Sequence, residues 1–147
     1  MTDGEGILDV AAVVLDGTAR SRDDAISEAG NLLVSVGAVD PAYVDSMHER
    51  ETSVSTYMGN FLAIPHGTNE AKGSIRRTAL SFVRYPGHVD WKGNPAEFVI
   101  GIAGVGDEHL ALLGKIATIF VDADRVAELR TAATPDEVVA IINGTPD

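Results

Sequence analysis

Residues 98–103 read Phe-Val-Ile-Gly-Ile-Ala, an unbroken apolar run that ends at Gly104. A short run without polar residues is typical of a strand whose two faces are both buried. Before it, the even-numbered residues of the segment 78–85 alternate with the odd-numbered ones as the two faces of a strand would. This pattern predicts a second strand that should end at Pro86-Gly87. Two shorter apolar runs predict further strands at residues 61–64 and 13–15. The sequence thus predicts a small central sheet.

Helical patterns lie before and after these strands. Residues 26–36 carry an apolar stripe at helical spacing, with Ser21 as the expected N-cap and Gly37 as the left-handed end. Asp40 is expected to cap a second helix that starts at Pro41 and reaches Glu51. Three more helices are predicted, from Leu110 to Phe120, from Asp124 to about Ala132, and from a Thr134 cap to about Ile142. We therefore expect an α/β fold, a small mixed β-sheet sandwiched between helices on both faces, as one domain over residues 1–147.

The composition narrows the class of protein. The 147 residues carry 11 basic and 22 acidic side chains and hence a formal charge of −11, which argues against nucleic-acid binding because phosphates would be repelled. The lack of cysteine excludes disulfides, thiolate metal sites and cysteine nucleophiles. Residues 1–6 lack the features of a signal peptide, and no apolar run approaches the roughly 18 residues of a membrane span. We expect a cytoplasmic protein that does not insert into membranes.

His66 is the first candidate for chemistry. It lies between Pro65 and Gly67, where the apolar run at 61–64 ends. Proline stiffens the backbone, and glycine permits a sharp turn and a close backbone approach. The imidazole is therefore expected at a strand end, where ligand sites of open α/β sheets often lie. By itself, the tripeptide fits an ordinary turn histidine equally well.

His109 and Arg50 are the other two candidates. His109 follows the buried run at 98–103, so it also lies near a strand end and could meet His66 across adjacent strands. Arg50 is expected near the end of the second helix. Each also fits an ordinary role, His109 as a locally packed helix-start residue and Arg50 as a solvated helix-end charge.

Two motifs lie far apart in the sequence, and their order and spacing together are more specific for a protein family than any single residue. The first is Arg50-Glu51, then Ser55-Thr56-Tyr57-Met58-Gly59-Asn60, then Ala63-Ile64-Pro65-His66-Gly67-Thr68; the second is Gly101-Ile102-Ala103 with Glu108-His109-Leu110. Together they resemble the signature of the mannitol/fructose family of phosphotransferase system enzyme IIA domains. The resemblance extends over essentially the whole chain, and residues 67–72 are most similar to the mannitol-specific branch. Phe61 departs from the pattern, since much of the wider family has a small residue there.

The resemblance implies a phosphocarrier that acts in mannitol uptake and phosphorylation. In that family the histidine of the Pro-His-Gly motif is phosphorylated, which here is His66, while His109 and Arg50 would stabilise the phosphoryl group. The donor would be the phosphohistidine of the carrier protein HPr, and the acceptor a cysteine of an enzyme IIB domain. No cofactor and no metal ion are implied. Phe61, Leu62 and the residues after His109 are the expected apolar rim of the docking surface.

Several alternatives stay open at this stage. The substrate could be fructose or another polyol, or the chain could be a nitrogen-type regulatory IIA protein that acts by binding. A metal-dependent enzyme built on His66, His109 and either Glu49 or Glu51 is disfavoured, because the sequence has no His pair at the short spacing of metal sites.

Overall fold

The computed structural model describes residues 7–144, apart from the side chains of Asn69 and Lys72. The absence of a signal peptide, expected from residues 1–6, concerns a segment outside the described residues. In order, the elements are β1 Leu8–Val14, α1 Arg22–Ser35, α2 Ala42–Ser53, β2 Tyr57–Gly59, β3 Leu62–Ala63, a 3-10 helix Asn69–Ser74, β4 Ala79–Trp91, β5 Asn94–Ala103, α3 Glu108–Phe120, α4 Ala123–Thr131 and α5 Pro135–Asn143. Within this part of the chain, no helix has the length and apolarity needed to cross a bilayer.

The strands of residues 7–144 form one five-stranded mixed sheet in the order β1-β4-β5-β3-β2. β4 and β5 pair antiparallel, and β1 runs parallel to β4. β3 runs parallel to β5, with Leu62 opposite Phe98 and Ala63 opposite Val99. The carboxyl ends of β3 and β5 therefore lie at the same edge of the sheet, and the chain enters the Pro-His-Gly segment from one of them.

Both faces of the sheet are covered, as predicted. Even-numbered residues near the middle of the central strands, such as Phe82 and Ile100, belong to a core shared with α3, α4 and α5. Odd-numbered neighbours, such as Val83 and Val99, belong to a second core shared with α1 and α2. Strand geometry sends successive side chains to opposite faces, so the apolar run at 98–103 supplies both cores. The predicted sandwich of a mixed sheet between helices is confirmed.

Of the three predicted side-chain N-caps, two are present in the structure and one is not. The Ser21 side chain accepts a hydrogen bond from the Asp24 N–H, and Thr134 does the same from Glu137, as the capping patterns predicted. The prediction for Asp40 was wrong: α2 begins at Ala42 and has no side-chain cap. The Asp40 carboxylate instead accepts a hydrogen bond from Arg76 Nε at 2.7 Å.

Strand ends were predicted less well. β4 does not end at Pro86-Gly87 but continues to Trp91, with its register against β5 shifted between Arg84 and Val89. β1 pairs with β4 as far as Val83, so Pro86, which has no N–H, follows the paired stretch. β1 begins earlier than predicted, and β2 was not predicted, because its three residues show no apolar alternation.

A buried carboxylate holds the end of α2 to the sheet. The Glu51 side chain is buried, and its oxygens accept hydrogen bonds from Thr56 N–H at 3.0 Å, Thr56 Oγ1 at 2.6 Å and Trp91 Nε1 at 2.9 Å. A carboxylate is an acceptor with several lone-pair sites, so it satisfies all three donors. This network fixes the segment that leads from α2 into β2 against the hairpin of β4 and β5.

We expect Glu51→Ala to lower the free energy of unfolding by about 2–4 kcal/mol, because it leaves buried donors on Thr56 and Trp91 without their acceptor. Chemical denaturation monitored by Trp91 fluorescence measures the loss. Glu49→Ala, which removes an exposed carboxylate two residues away, is the matched control and should change stability by no more than about 0.5 kcal/mol. Equal stability of the two variants would contradict the role of the buried carboxylate.

Candidate functional site

A cleft of about 330 Å³ lies at the carboxyl ends of β3 and β5. It brings together the three candidates from the sequence, His66, His109 and Arg50, although they come from three different segments of the chain. Its lining consists of Tyr43, Arg50, Ser53, His66, Gly67, Thr68, Glu70, Ile75, Gly104 and His109.

His66 lies where the chain leaves the sheet. It makes an isolated parallel bridge with Ile102, and the Ile102 N–H donates to the Pro65 carbonyl at 3.1 Å. The half-buried imidazole forms a hydrogen bond between Nδ1 and the Ile64 carbonyl oxygen at 2.8 Å. A carbonyl only accepts, so Nδ1 carries the proton, and in the neutral ring the lone pair lies on Nε2.

His109 meets His66 from the first turn of α3. The centroids of the two imidazole rings are 5.0 Å apart, with their planes inclined by 59°. This approach depends on Gly104, because a Cβ there would lie 2.5 Å from the Cα of His109. The sequence-based expectation that the two histidines meet across adjacent strand ends is correct, and the glycine that follows β5 is the signal for the close contact.

Burial lowers the pKa of His66 below its ordinary value, because loss of water penalises the charged ring. The hydrogen bond to Ile64 acts in the opposite direction. The positive charge of Arg50 lowers the pKa further, and the negative charge of Glu51 raises it. With its pKa held below the usual value near 6.5, His66 is mainly neutral at pH 7 and has a nucleophilic nitrogen.

Arg50 lies in the last turn of α2, where its Nη1 donates to the Val54 carbonyl at 2.7 Å. This hydrogen bond folds the guanidinium back over the end of its own helix, next to the cleft. Glu51, the next residue, points into the buried network described above. Consecutive side chains thus take different roles, one at the cleft and one inside the protein.

Sequence reasoning missed Tyr43 as a residue of the cleft. It was assigned to the second helix without any role, and nothing in the local pattern distinguishes it from a core residue. The buried Tyr43 hydroxyl donates to the Ile102 carbonyl at 2.8 Å and accepts from the Gly67 N–H at 2.9 Å. Gly67 has no left-handed φ, and a Cβ there would lie 2.4 Å from Ser46 Oγ and 2.5 Å from Tyr43 Cε1. From the sequence, a sharp turn or a close backbone approach could explain this glycine, and the structure supports the close approach.

The predicted apolar rim is half wrong. Leu110, which follows the cleft residue His109, is exposed as predicted, and so is Val105, which follows the cleft residue Gly104 and was not predicted. Leu62, however, is buried, and Phe61 lies in the turn before β3, stacked on His88 with a centroid distance of 5.5 Å. Five residues of extended chain span about 16 Å, so Phe61 lies far along this segment from His66, and it does not line the cleft.

The described residues give no support to the alternative of a metal-dependent enzyme. Within residues 7–144, no group of three or more His, Cys, Asp or Glu side chains is placed to hold a metal ion. Glu51, one of the acids considered for such a site, is engaged by Thr56 and Trp91.

We expect the pKa of His66 to lie below about 6.5 and to rise in Arg50→Gln, because the variant removes a positive charge that opposes protonation. An NMR titration of the imidazole resonances measures both values. Lys92→Gln, which removes a positive charge outside the cleft, on the turn between β4 and β5, is the control and should leave the titration unchanged. A pKa that stays the same or falls in Arg50→Gln would contradict this electrostatic assignment.

Comparison with known proteins places the chain in a family. Residues 6–144 match the family model described as phosphoenolpyruvate-dependent sugar phosphotransferase system, EIIA 2. A mannitol-specific phosphotransferase enzyme IIA component from Halalkalibacterium halodurans is 46% identical over 136 residues, which cover 92% of this chain and 94% of that protein.

Solved structures agree with this match. The complex of enzyme IIAMtl with phosphorylated enzyme IIBMtl from Escherichia coli aligns with a TM-score of 0.85 and 32% identity, covering 92% of this chain and 96% of the other. The nitrogen regulatory protein IIA-Ntr from Neisseria meningitidis aligns with a TM-score of 0.80 and 29% identity, again covering 92% and 96%. The chain belongs to the EIIA 2 family of the phosphoenolpyruvate-dependent sugar phosphotransferase system.

Proposed function

We propose that this chain is a phosphocarrier that accepts a phosphoryl group on Nε2 of His66 from phospho-HPr and passes it to an enzyme IIB domain for the uptake and phosphorylation of mannitol. The observation that carries the proposal is the imidazole of His66, fixed through Nδ1 on the Ile64 carbonyl within a cleft that also contains His109 and Arg50. This arrangement leaves Nε2 as the nucleophilic nitrogen.

The transfer consists of two displacements at phosphorus. In the first, the Nε2 lone pair attacks the phosphoryl group, and the N–P bond of the donor phosphohistidine breaks with its electron pair returning to the donor ring. In the second, a cysteine thiolate of the IIB domain forms an S–P bond, and the Nε2–P bond breaks with its electron pair returning to Nε2. The proton on Nδ1 stays in place throughout. Neither step uses a cofactor or a metal ion at this site.

Arg50 and His109 have supporting roles in this proposal. The Arg50 guanidinium is always charged and presents five N–H donors in a planar fork suited to phosphoryl oxygens. His109, with its ring 5.0 Å from that of His66, donates a hydrogen bond to the same group. Preorganised donors of this kind stabilise the charge that develops during transfer. The hydrogen bond from Nδ1 to Ile64 stabilises the positive charge that the phosphorylated ring carries.

The same proposal includes the partners and the location. The donor and acceptor are proteins that dock in turn on the exposed face around Val105 and Leu110. We place the chain in the cytoplasm, and we take residues 1–147 as a single IIA domain. Mannitol is preferred to fructose or another polyol because the relative at 46% identity is mannitol-specific. A nitrogen-type regulatory role has weaker support, since the IIA-Ntr structure shares 29% identity.

Incubation with phosphoenolpyruvate, enzyme I and HPr should add one acid-labile, base-stable phosphate to the wild-type chain, and this label should move to a mannitol-type IIB domain in preference to a fructose-type one. His66→Ala should take up no label. His109→Ala should still accept label at His66, with onward transfer slowed roughly 10²–10³-fold, the cost of losing one preorganised donor.

His88→Ala is the matched control for both variants, because His88 lies at the other end of the sheet beside Phe61. It should behave as the wild type. Label on the His66→Ala protein would refute the assignment of the nucleophile, and complete loss of acceptance in His109→Ala would mean that His109 lies on the covalent path.

The net charge of −11 should speed the encounter with a donor that is basic around its own active site. We expect the second-order rate of transfer from phospho-HPr to fall when ionic strength rises from about 0.1 M to about 1 M, because the screening length shortens from about 10 Å to about 3 Å. The rate at saturating donor should change little. Stopped-flow transfer at limiting donor measures the effect, and a rate that is flat over this range would exclude electrostatic steering.

A further inference from the structure

We infer that Tyr43 is a positioning residue for phosphoryl transfer, because its hydroxyl joins the Gly67 N–H to the Ile102 carbonyl and so fixes the backbone that carries His66. The inference rests on the proposed function of His66. It starts from the two hydrogen bonds of one buried hydroxyl group, 2.9 Å from Gly67 and 2.8 Å from Ile102.

The two partners of this hydroxyl face each other across the bridge between His66 and Ile102. In a parallel ladder, a bridging residue donates its N–H to the neighbouring chain on one side and accepts an N–H from it on the other. Ile102 donates its N–H to the Pro65 carbonyl at 3.1 Å, and the bridge places the Gly67 N–H opposite the Ile102 carbonyl, a pair that forms no close direct hydrogen bond. The Tyr43 hydroxyl lies in hydrogen-bonding distance of both and relays the contact between them. Its position therefore sets how far the backbone at Gly67 stands from β5.

The hydroxyl acts as both donor and acceptor. Its proton is donated to the Ile102 carbonyl, which only accepts, and its oxygen receives the Gly67 N–H. Burial raises the pKa of Tyr43 above its ordinary value of 10.0, so the hydroxyl keeps its proton at neutral pH. The ring is packed against the same glycine, because the ring and Ser46 Oγ occupy the space that a Cβ at Gly67 would need. Helix α2 thus reaches the Pro-His-Gly segment through both the ring and the hydroxyl of one residue.

Gly67 directly follows His66 in the sequence, so a shift of its backbone also moves the nucleophilic ring. Transfer requires the attacking nitrogen in line with the bond that breaks, and a displacement of about 1 Å can cost about 10²-fold in rate. Without the hydroxyl, either the Gly67 N–H is left without this acceptor or its distance to the Ile102 carbonyl shortens and draws the segment toward β5. In both cases the His66 ring moves relative to Arg50 and His109.

Tyr43→Phe tests the inference, since it removes the hydroxyl and keeps the ring. We expect the transfer rate at saturating phospho-HPr to fall about 10–100-fold with KM for the donor changed by no more than about twofold. Tyr57→Phe is the matched control: the Tyr57 hydroxyl also donates to a backbone carbonyl at 2.8 Å, that of Pro95, away from the cleft. It should transfer at the wild-type rate. A Tyr43→Phe rate within twofold of wild type, or an effect on KM alone, would overturn the inference.

A second measurement needs no phosphoryl donor and separates this inference from the proposed function. NMR spectra of Tyr43→Phe should show shifted Gly67 amide and His66 ring resonances, while Tyr57→Phe leaves both unchanged; unshifted resonances in Tyr43→Phe would overturn the inference even if the wild type carries phosphate. Should Tyr43→Phe fail to fold, hydrogen exchange of the wild-type protein decides. A protected Gly67 amide supports the relay, and exchange at the rate of an unstructured peptide contradicts it. A wild-type chain that takes up no label would instead refute the proposed function.

Discussion

The parallel pairing of β3 with β5 is the constraint on which the site depends. It is short, with Leu62 opposite Phe98 and Ala63 opposite Val99, but it aligns the carboxyl ends of two strands at one edge of the sheet. The end of β3 continues into His66, and the end of β5 leads to the start of α3, where His109 lies. Residues separated by 43 positions, 109 minus 66, thereby meet with ring centroids 5.0 Å apart. The helices that cover the two faces keep this pairing in place, since β5 contributes to both cores.

Electrostatics at the site favour a neutral His66. Burial and the charge of Arg50 both lower the pKa of His66, while Glu51 and the Ile64 carbonyl oppose them. In the proposed transfer, the opposing groups would favour the phosphorylated ring, because that ring would carry positive charge and the carbonyl would accept its remaining N–H. Arg50 would change role in the same step, since it disfavours a proton on His66 but would attract the phosphoryl group. Under this proposal, one set of fixed charges would serve both the free and the phosphorylated state.

Much of the fold, and the meeting of His66, His109 and Arg50 in one cleft, could be predicted from the sequence, because both depend on local patterns and motifs. Ser21 and Thr134 cap helices as their neighbours in sequence imply. The failures involve distant partners. Asp40 has the sequence of a helix cap, but Arg76, 36 residues away, takes its carboxylate. Pro86 has the sequence of a strand end, but β4 continues through it with a shifted register. No local signal marks Tyr43, because its role is defined by groups on two other segments.

The glycines of the site illustrate the same dependence on neighbours. Gly67 and Gly104 do not belong to the positive-φ glycines of the described residues, so their backbone conformations do not require glycine. Both positions require glycine because no space is left for a side chain. A Cβ at Gly67 would meet the Tyr43 ring of α2, and one at Gly104 would meet the backbone of His109 at the start of α3. Two helices thus approach the strand ends to contact distance, one beside each histidine. In the proposed transfer, a cleft packed in this way would hold His66, His109 and Arg50 in place before any partner arrives, so that the partner would have only to bring the phosphoryl group into line.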